Sequence, residues 1–191
     1  MEQKKEDRRV RITKQAIRES LIELMNKQSI SKISVKMICE AADINRSTFY
    51  AHYKDQYALL QAMQQGVIED VKRQIMTTNF FNSSDNGYMT LKQVLQYGRE
   101  NAPLMSVLLG ENGDSSFQNE LMQLAQEKIL EEFSGENTLP GHTVQYLKRF
   151  ALAGLLSIMR YWLEENCADE PEMLAELTIK LVVHGTKGLF S

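Results

Sequence analysis

The sequence predicts an all-α protein of about nine helices, with a three-helix N-terminal domain over residues 1–54 and a helical bundle over residues 55–191. Three observations predict it. Glycine and proline are scarce, at 10 and 3 of 191 residues, so the chain has few places where a helix must stop. Apolar residues recur at spacings of three and four rather than two. Strong helix formers fill the positions between them. A hydrophobic share of 43% is enough to build a core.

The first helix is expected from about Arg11 to Lys27, with Ile12, Ala16, Ile17, Leu21 and Leu24 on one side. Ser34 can cap a second helix, and Ile33 can pack back over its first turn. Val35, Ile38, Cys39 and Ala42 give that helix one apolar face, which Asp43-Ile44 breaks. Asn45 is a strong N-cap for a third helix, whose Phe49 and Tyr53 point back at the second. A long fourth helix, from about Asp55 to Thr77, connects the two domains. NFFNSSDNG, Asn79 to Gly87, is a loop by composition. Helices from about Tyr88 to Arg99 and around Leu104 to Leu109 follow. After a loop at Gly110 to Gly113, Asp114 can cap a helix running to about Phe133. SGENTLPG, residues 134–141, is the third loop. The last two helices run from about His142 to Glu165 and from about Pro171 to Gly185, with Pro171 suited to a first turn.

The second and third helices, joined by a tight turn, have the layout of a helix-turn-helix, whose second helix enters the DNA major groove N-terminus first. Its tip is polar and basic: Asn45, Arg46, Ser47, Thr48. With Phe49 and Tyr53 turned inward, Arg46, Ser47, Thr48, Tyr50 and His52 face outward. Arg46, Ser47 and Lys36 are expected to read base edges, and Ser34, Thr48, Tyr50, His52 and Lys54 to hold phosphates. Charge agrees with the motif. Residues 1–54 carry 12 Lys/Arg against 7 Asp/Glu, a net of +5, whereas residues 55–191 carry 10 against 18, a net of −8. A basic head on an acidic body suits a protein that turns one end to DNA.

Other chemistries find no support. GENGDSS, residues 110–116, lacks the alternating ligands and terminal Glu of a calcium loop and reads as a turn and helix cap. His52, His142 and His184 form no zinc pattern. There is no G-x-S-x-G, no P-loop and no dinucleotide fingerprint. No enzyme activity, cofactor or metal is expected. Cys39 belongs to an apolar helix face, and Cys167 lies near a helix end where it can be exposed. Two cysteines without metal spacing indicate a reducing, cytoplasmic setting. MEQKKEDRRVR is no signal peptide, and the longest apolar stretch, Phe150 to Met159, is too short to span a bilayer, so no membrane is expected as a partner.

Residues 9–66 resemble the DNA-binding domain of the TetR family of bacterial regulators. The resemblance is carried by the helix-turn-helix followed by Thr48-Phe49-Tyr50-x-His52-Tyr53-Lys54-Asp55 and then Leu59-Leu60. GLLSIMRYWLEENCADEPEMLAEL, residues 154–177, is more loosely similar to one C-terminal subtype of the family, which includes regulators related to the dihydroxyacetone-kinase activators. Ser47 stands where the family often has Gly, and Gln56 where it usually has Lys. The resemblance implies a transcriptional regulator, more commonly a repressor, released by a small-molecule or protein effector held in the body. Activation under a protein partner is the alternative it leaves open. A helical protein-interaction module with secondary DNA binding is the rival from another class.

The body offers candidates for both of its expected tasks. Met63, Met76, Tyr97, Met105, Phe117, Met122, Met159 and Trp162 are ordinary core types, and the resemblance implies that some of them line an effector cavity. Tyr97, Met105, Phe117, Met159, Arg160 and Trp162 are the candidate ligand contacts. Arg160 sits in the otherwise apolar FALAGLLSIMRYWL, and a buried guanidinium must be paired. A structural carboxylate is the expected partner, and an anionic or carbonyl-bearing ligand the alternative. Phe150 to Leu163 is apolar on nearly every side, so one face must meet something outside its own body. Phe150, Ala151, Gly154 and Ile158 there, with Met173, Leu174, Leu177, Leu181 and Val182 on the last helix, are the expected interface of a homodimer. Two heads on a two-fold axis would read a palindromic operator.

Overall fold

The computed structural model describes residues 2–77, 86–111, 113–133 and 141–187, and these hold nine α-helices and no strand. Three form the head: α1 (Glu2–Met25), α2 (Val35–Ala41) and α3 (Arg46–Tyr50). The long α4 (Gln56–Thr77) leads into a body made of α5 (Asn86–Glu100), α6 (Ala102–Leu109), α7 (Ser115–Phe133), α8 (Gly141–Glu164) and α9 (Pro171–Lys187). Most expected helices are present within a few residues of their expected ends. Helix α1 is the exception, because EQKKEDRR contains no breaker and propagates the helix back to Glu2. The last two residues of the expected 79–87 loop belong to α5. The rest of it, and nearly all of the 134–141 loop, lie outside the described residues.

Local chemistry sets the helix ends. Ser34 Oγ accepts from the Met37 amide at 3.3 Å and caps α2. Asp43 closes it in the left-handed region, at φ 51, while Ile44 N–H reaches back to the Cys39 carbonyl at 3.0 Å. That six-residue closure usually takes glycine, and Asp is among the side chains that tolerate the conformation. Asp55 Oδ1 accepts from the Ala58 amide at 2.8 Å at the start of α4. Asp114 accepts from both the amide and the hydroxyl of Ser116 at the start of α7, which holds its carboxyl below the usual range.

One apolar core runs through head and body. Ile17, Leu21, Met25, Ile38 and Phe49 fill the head. Leu59, Leu60, Met63, Val67, Ile68 and Val71 carry the core along α4, and Leu95, Met105, Leu108, Phe117, Met159, Trp162 and Leu174 complete it in the body. The core is continuous across the expected 54/55 boundary. Helix α6 packs against α8, α7 and α5 and also against α1, so the body touches the head directly. Helix α4 meets α5 and α7 as well as α1. Helices α5 and α9 lie side by side, fastened by Lys92–Glu172 at 2.9 Å and Arg99–Glu170 at 2.7 Å.

Three expectations about packing are corrected. Ile12 is exposed, since five positions before Ile17 is about 140° round the helix from the buried face. Leu174 turns into its own core instead of joining an outer stripe. Cys167 is half-buried, because α8 ends in two successive left-handed residues, Asn166 and Cys167, that fold the chain back over Trp162.

Candidate nucleic-acid interface

The head presents a short helix held from behind by one ring. Phe49, at 0% exposure, anchors α3 against α2. Its ring meets Tyr50 edge-on at 5.7 Å and Tyr53 at 5.9 Å. Tyr50 is thereby steered outward and remains 56% exposed, while Tyr53 is half-buried. Arg46 and Ser47, on the first turn of α3, are exposed, as is Lys54 just beyond it. Asn45 holds the N-cap position with extended backbone, but its side chain makes no capping bond and is exposed. Thr48 and His52 are half-buried, so less of each is offered outward than of their neighbours.

On α2, Ser34 is exposed but its hydroxyl oxygen already serves as a cap. Lys36 is exposed and lies 3.6 Å from Glu40. An exposed pair of this kind is weak, so Lys36 can exchange its partner for a phosphate or a base edge at little cost. Of the residues expected at the DNA, Lys36, Asn45, Arg46, Thr48 and His52 line one groove of the head, and Ser34, Ser47, Tyr50 and Lys54 are exposed.

Sequence reasoning missed one wall of this surface. Arg9, Val10 and Thr13 of α1 line a groove together with Lys36, Cys39, Glu40, Asp43, Ile44, Asn45, Arg46, Thr48 and His52. The signal was present in the basic run Arg8-Arg9-x-Arg11, which reads as a charged tail unless the helix is known to continue through it. A positive N-terminal extension of α1 beside the recognition helix is suited to phosphates flanking a major-groove contact.

The body residues divide into two groups. Met105 on α6, Phe117 on α7, and Met159 and Arg160 on α8 belong to three mutually packed helices. Tyr97 on α5 and Trp162 on α8 have their polar atoms already used. Tyr97 donates to Asp70 Oδ2 on α4 at 3.3 Å, and burial followed by the Asp70 charge pushes its phenol up to about 12. Trp162 donates to the Asp169 carbonyl at 2.9 Å, and its ring lies against Gly98. Among the described residues Arg160 meets not the expected carboxylate but a neutral amide, Oε1 of Gln118. Met76 and Val182 fall among side chains that are not described.

On the outer side of α8 and α9, Tyr146, Phe150, Tyr161, Met173, Leu177 and Leu181 are exposed, Phe150 at 77%. Gly154 lies among them with open space where a Cβ would stand. Ala151 and Ile158 sit half-buried at its edge.

Residues 17–63 match the bacterial regulatory proteins of the tetR family, and residues 85–184 match a transcriptional-regulator C-terminal region. YxbF, an uncharacterized HTH-type transcriptional regulator of Bacillus subtilis (strain 168), is 25% identical over 178 residues, which are 87% of this chain and 43% of that protein. The chain thus spans less than half the length of that relative. A TetR transcriptional regulator from Streptococcus agalactiae 2603V shares the fold at a TM-score of 0.65 and 23% identity, covering 93% of this chain and 97% of its own. The dihydroxyacetone kinase operon activator DhaS does so at 0.57 and 22%, covering 92% and 96%.

Proposed function

We infer the function from one premise: the chain belongs to the TetR family of bacterial regulators, and is a DNA-binding transcriptional regulator rather than an enzyme. The finer reading is a homodimeric repressor. Residues 1–54 bind one half of a palindromic operator, and residues 55–191 dimerise and take up a small-molecule or protein effector that releases the DNA. The observation that carries it is the exposed constellation of Arg46, Ser47, Tyr50 and Lys54 around an α3 locked by the buried Phe49. A rigidly backed polar helix tip of this kind is what base readout requires.

Two further features support the reading. The exposed aromatic and aliphatic side chains of α8 and α9 form a stripe larger than scattered surface apolar residues account for, and a second copy would cover it. Contacts of α6 with α1, and of α4 with both α1 and α7, give an effector in the body two routes to the head. Activation is the second reading, favoured by the similarity of residues 154–177 to the activator subtype.

Selection of bound sequences from random duplex DNA tests the proposal. The expected result is an inverted repeat, bound with an affinity that falls steeply as salt rises because many contacts go to phosphates. Enrichment of a single unrepeated half-site would sink the dimeric reading. No enrichment would remove sequence-specific recognition.

A further inference from the structure

Arg160 is unusual for what it lacks. It is half-buried on α8 between Met159 and, two residues on, Trp162, both of them core residues. A guanidinium carries five N–H donors and a permanent charge. Nη2 donates to Oε1 of Gln118, while Nε is buried with no partner among the described residues. Among the described residues no carboxylate forms an ion pair with it. Among the described residues a neutral amide takes one donor and the buried Nε is left over, and a buried donor without a partner is costly enough to call for an explanation.

Gln118 is itself held in place. Its Nε2 donates to the carbonyls of Leu108 and Leu109 at 3.3 and 3.4 Å, at the C-terminal end of α6. Those carbonyls occupy the amide nitrogen and turn the amide oxygen toward Arg160. Four residues before Gln118, Asp114 caps α7 and meets Gln64 of α4 at 3.4 Å. The first turn of α7 is therefore a junction: it ties α8 through Arg160, α6 through Leu108 and Leu109, and α4 through Gln64. Two of those three helices, α6 and α4, touch α1 of the head.

We propose that Arg160 is the anchor for the carboxylate of an apolar organic acid, and that taking up this acid draws the guanidinium away from Gln118. The proposal rests on the effector reading of the body and gives that effector a chemical class. The planar fork matches a carboxylate through two parallel hydrogen bonds, one of which would satisfy the orphan Nε. Met105 on α6 and Phe117 on α7, helices that pack against α8, and Met159 beside Arg160 in sequence are buried and apolar, which fits a ligand with a hydrocarbon body. Once Arg160 pairs with the ligand, Gln118 loses its partner, and its grip on the end of α6 is free to change. Because α6 packs on α1, the exchange reaches the DNA-binding head through direct contacts.

The test uses the full chain, the straight-chain alkanoates from acetate to palmitate, and the corresponding alcohols. Binding is followed by calorimetry, and operator affinity by anisotropy. The expected result is that one chain length of alkanoate binds and shifts operator affinity. Its alcohol should bind more weakly by roughly tenfold to a hundredfold, the factor that hydrogen bonds to a charged group supply. Arg160→Met should remove the preference for the acid and, because it also takes the guanidinium from Gln118, should shift operator affinity without ligand in the direction in which the acid shifts it. If Arg160→Met fails to fold, Arg160→Lys keeps the charge without the fork and should lose most of the preference. Equal binding of acid and alcohol would overturn the anchor and leave an effector cavity standing. An acid preference that survives in a folded Arg160 variant would place the anchor elsewhere. If neither series binds, the anchor fails, and the effector reading is left to other ligands.

Discussion

Arg46 and Lys54 are both exposed cations of the head, yet they stand in different positions. Arg46 is on the first turn of α3, the position suited to base edges, whereas Lys54 lies past the end of that helix, a position suited to the phosphate backbone. Arg46→Ala should therefore relax discrimination at one base pair per half-site by about 1–3 kcal/mol. Lys54→Ala and Tyr50→Phe should weaken all sequences alike. Affinities across a panel of single-base operator variants separate the two, and a uniform loss for Arg46→Ala would move that residue to the phosphates. In the body, Tyr97 makes a second residue-level prediction. Burial and Asp70 raise its phenol from 10.0 to about 12, so the folded protein holds that proton longer than the unfolded chain. The stability it contributes is complete below pH 10.0 and is lost as pH rises toward about 12. Ultraviolet titration should show one of the seven tyrosines ionising late, and Tyr97→Phe should delete that late step. A titration already complete near pH 10.0 would refute the buried hydrogen bond.

Among the helices, the caps make the sharpest contrast. Asp55 binds its amide at 2.8 Å and carries a full charge at the positive end of α4, whereas Ser34 is neutral and binds at 3.3 Å. Asp55→Ala is expected to cost about 1 kcal/mol and Ser34→Ala less, measured by urea unfolding. The order matters because α4 joins the head to the body. Loosening its first turn should also blunt any effector response, whereas loosening α2 should act only on DNA affinity. If Ser34→Ala proves the more costly change, the geometry of the two caps is not what sets their strength. Helix α3 shows the opposite economy. It spans only Arg46–Tyr50, too short to be stable by itself, so its position depends on Phe49 in the core of the head.

For the whole molecule, the question is what covers α8 and α9. Gly154 provides a clean test, since a Cβ there meets nothing within 4 Å inside its own subunit. Glu also has higher helix propensity than Gly, so Gly154→Glu leaves the isolated fold intact or slightly more stable. In a dimer built on Phe150, Leu177 and Leu181, the same carboxylate would be buried without a partner. Sedimentation should then show folded monomers, with operator affinity lost along with the second head. A Gly154→Glu protein that sediments as a dimer and still binds its operator would place the interface on another face.

Much of this protein was legible because its signals are local. The caps at Ser34 and Asp114, Pro171 opening α9, and the turn between α2 and α3 each depend on residues a few positions apart. The same holds for the recognition tip, where Phe49 turns inward and Tyr53, whose amide returns to the Phe49 carbonyl, packs beside its ring. Periodicity says which residues share a face, but not which neighbour that face will meet. Only the tertiary structure could supply Asp70 to Tyr97 across 27 positions, or Gln118 to Arg160 across 42. It also brought Arg9, Val10 and Thr13 of α1 to the groove beside α3, and turned Leu174 inward while leaving Leu177 outside. Those choices belong to the packing of whole helices. A pairing distant in sequence is fixed by the crossing of two helices and the shape of the core between them, and neither is written in the spacing of residues along one of them.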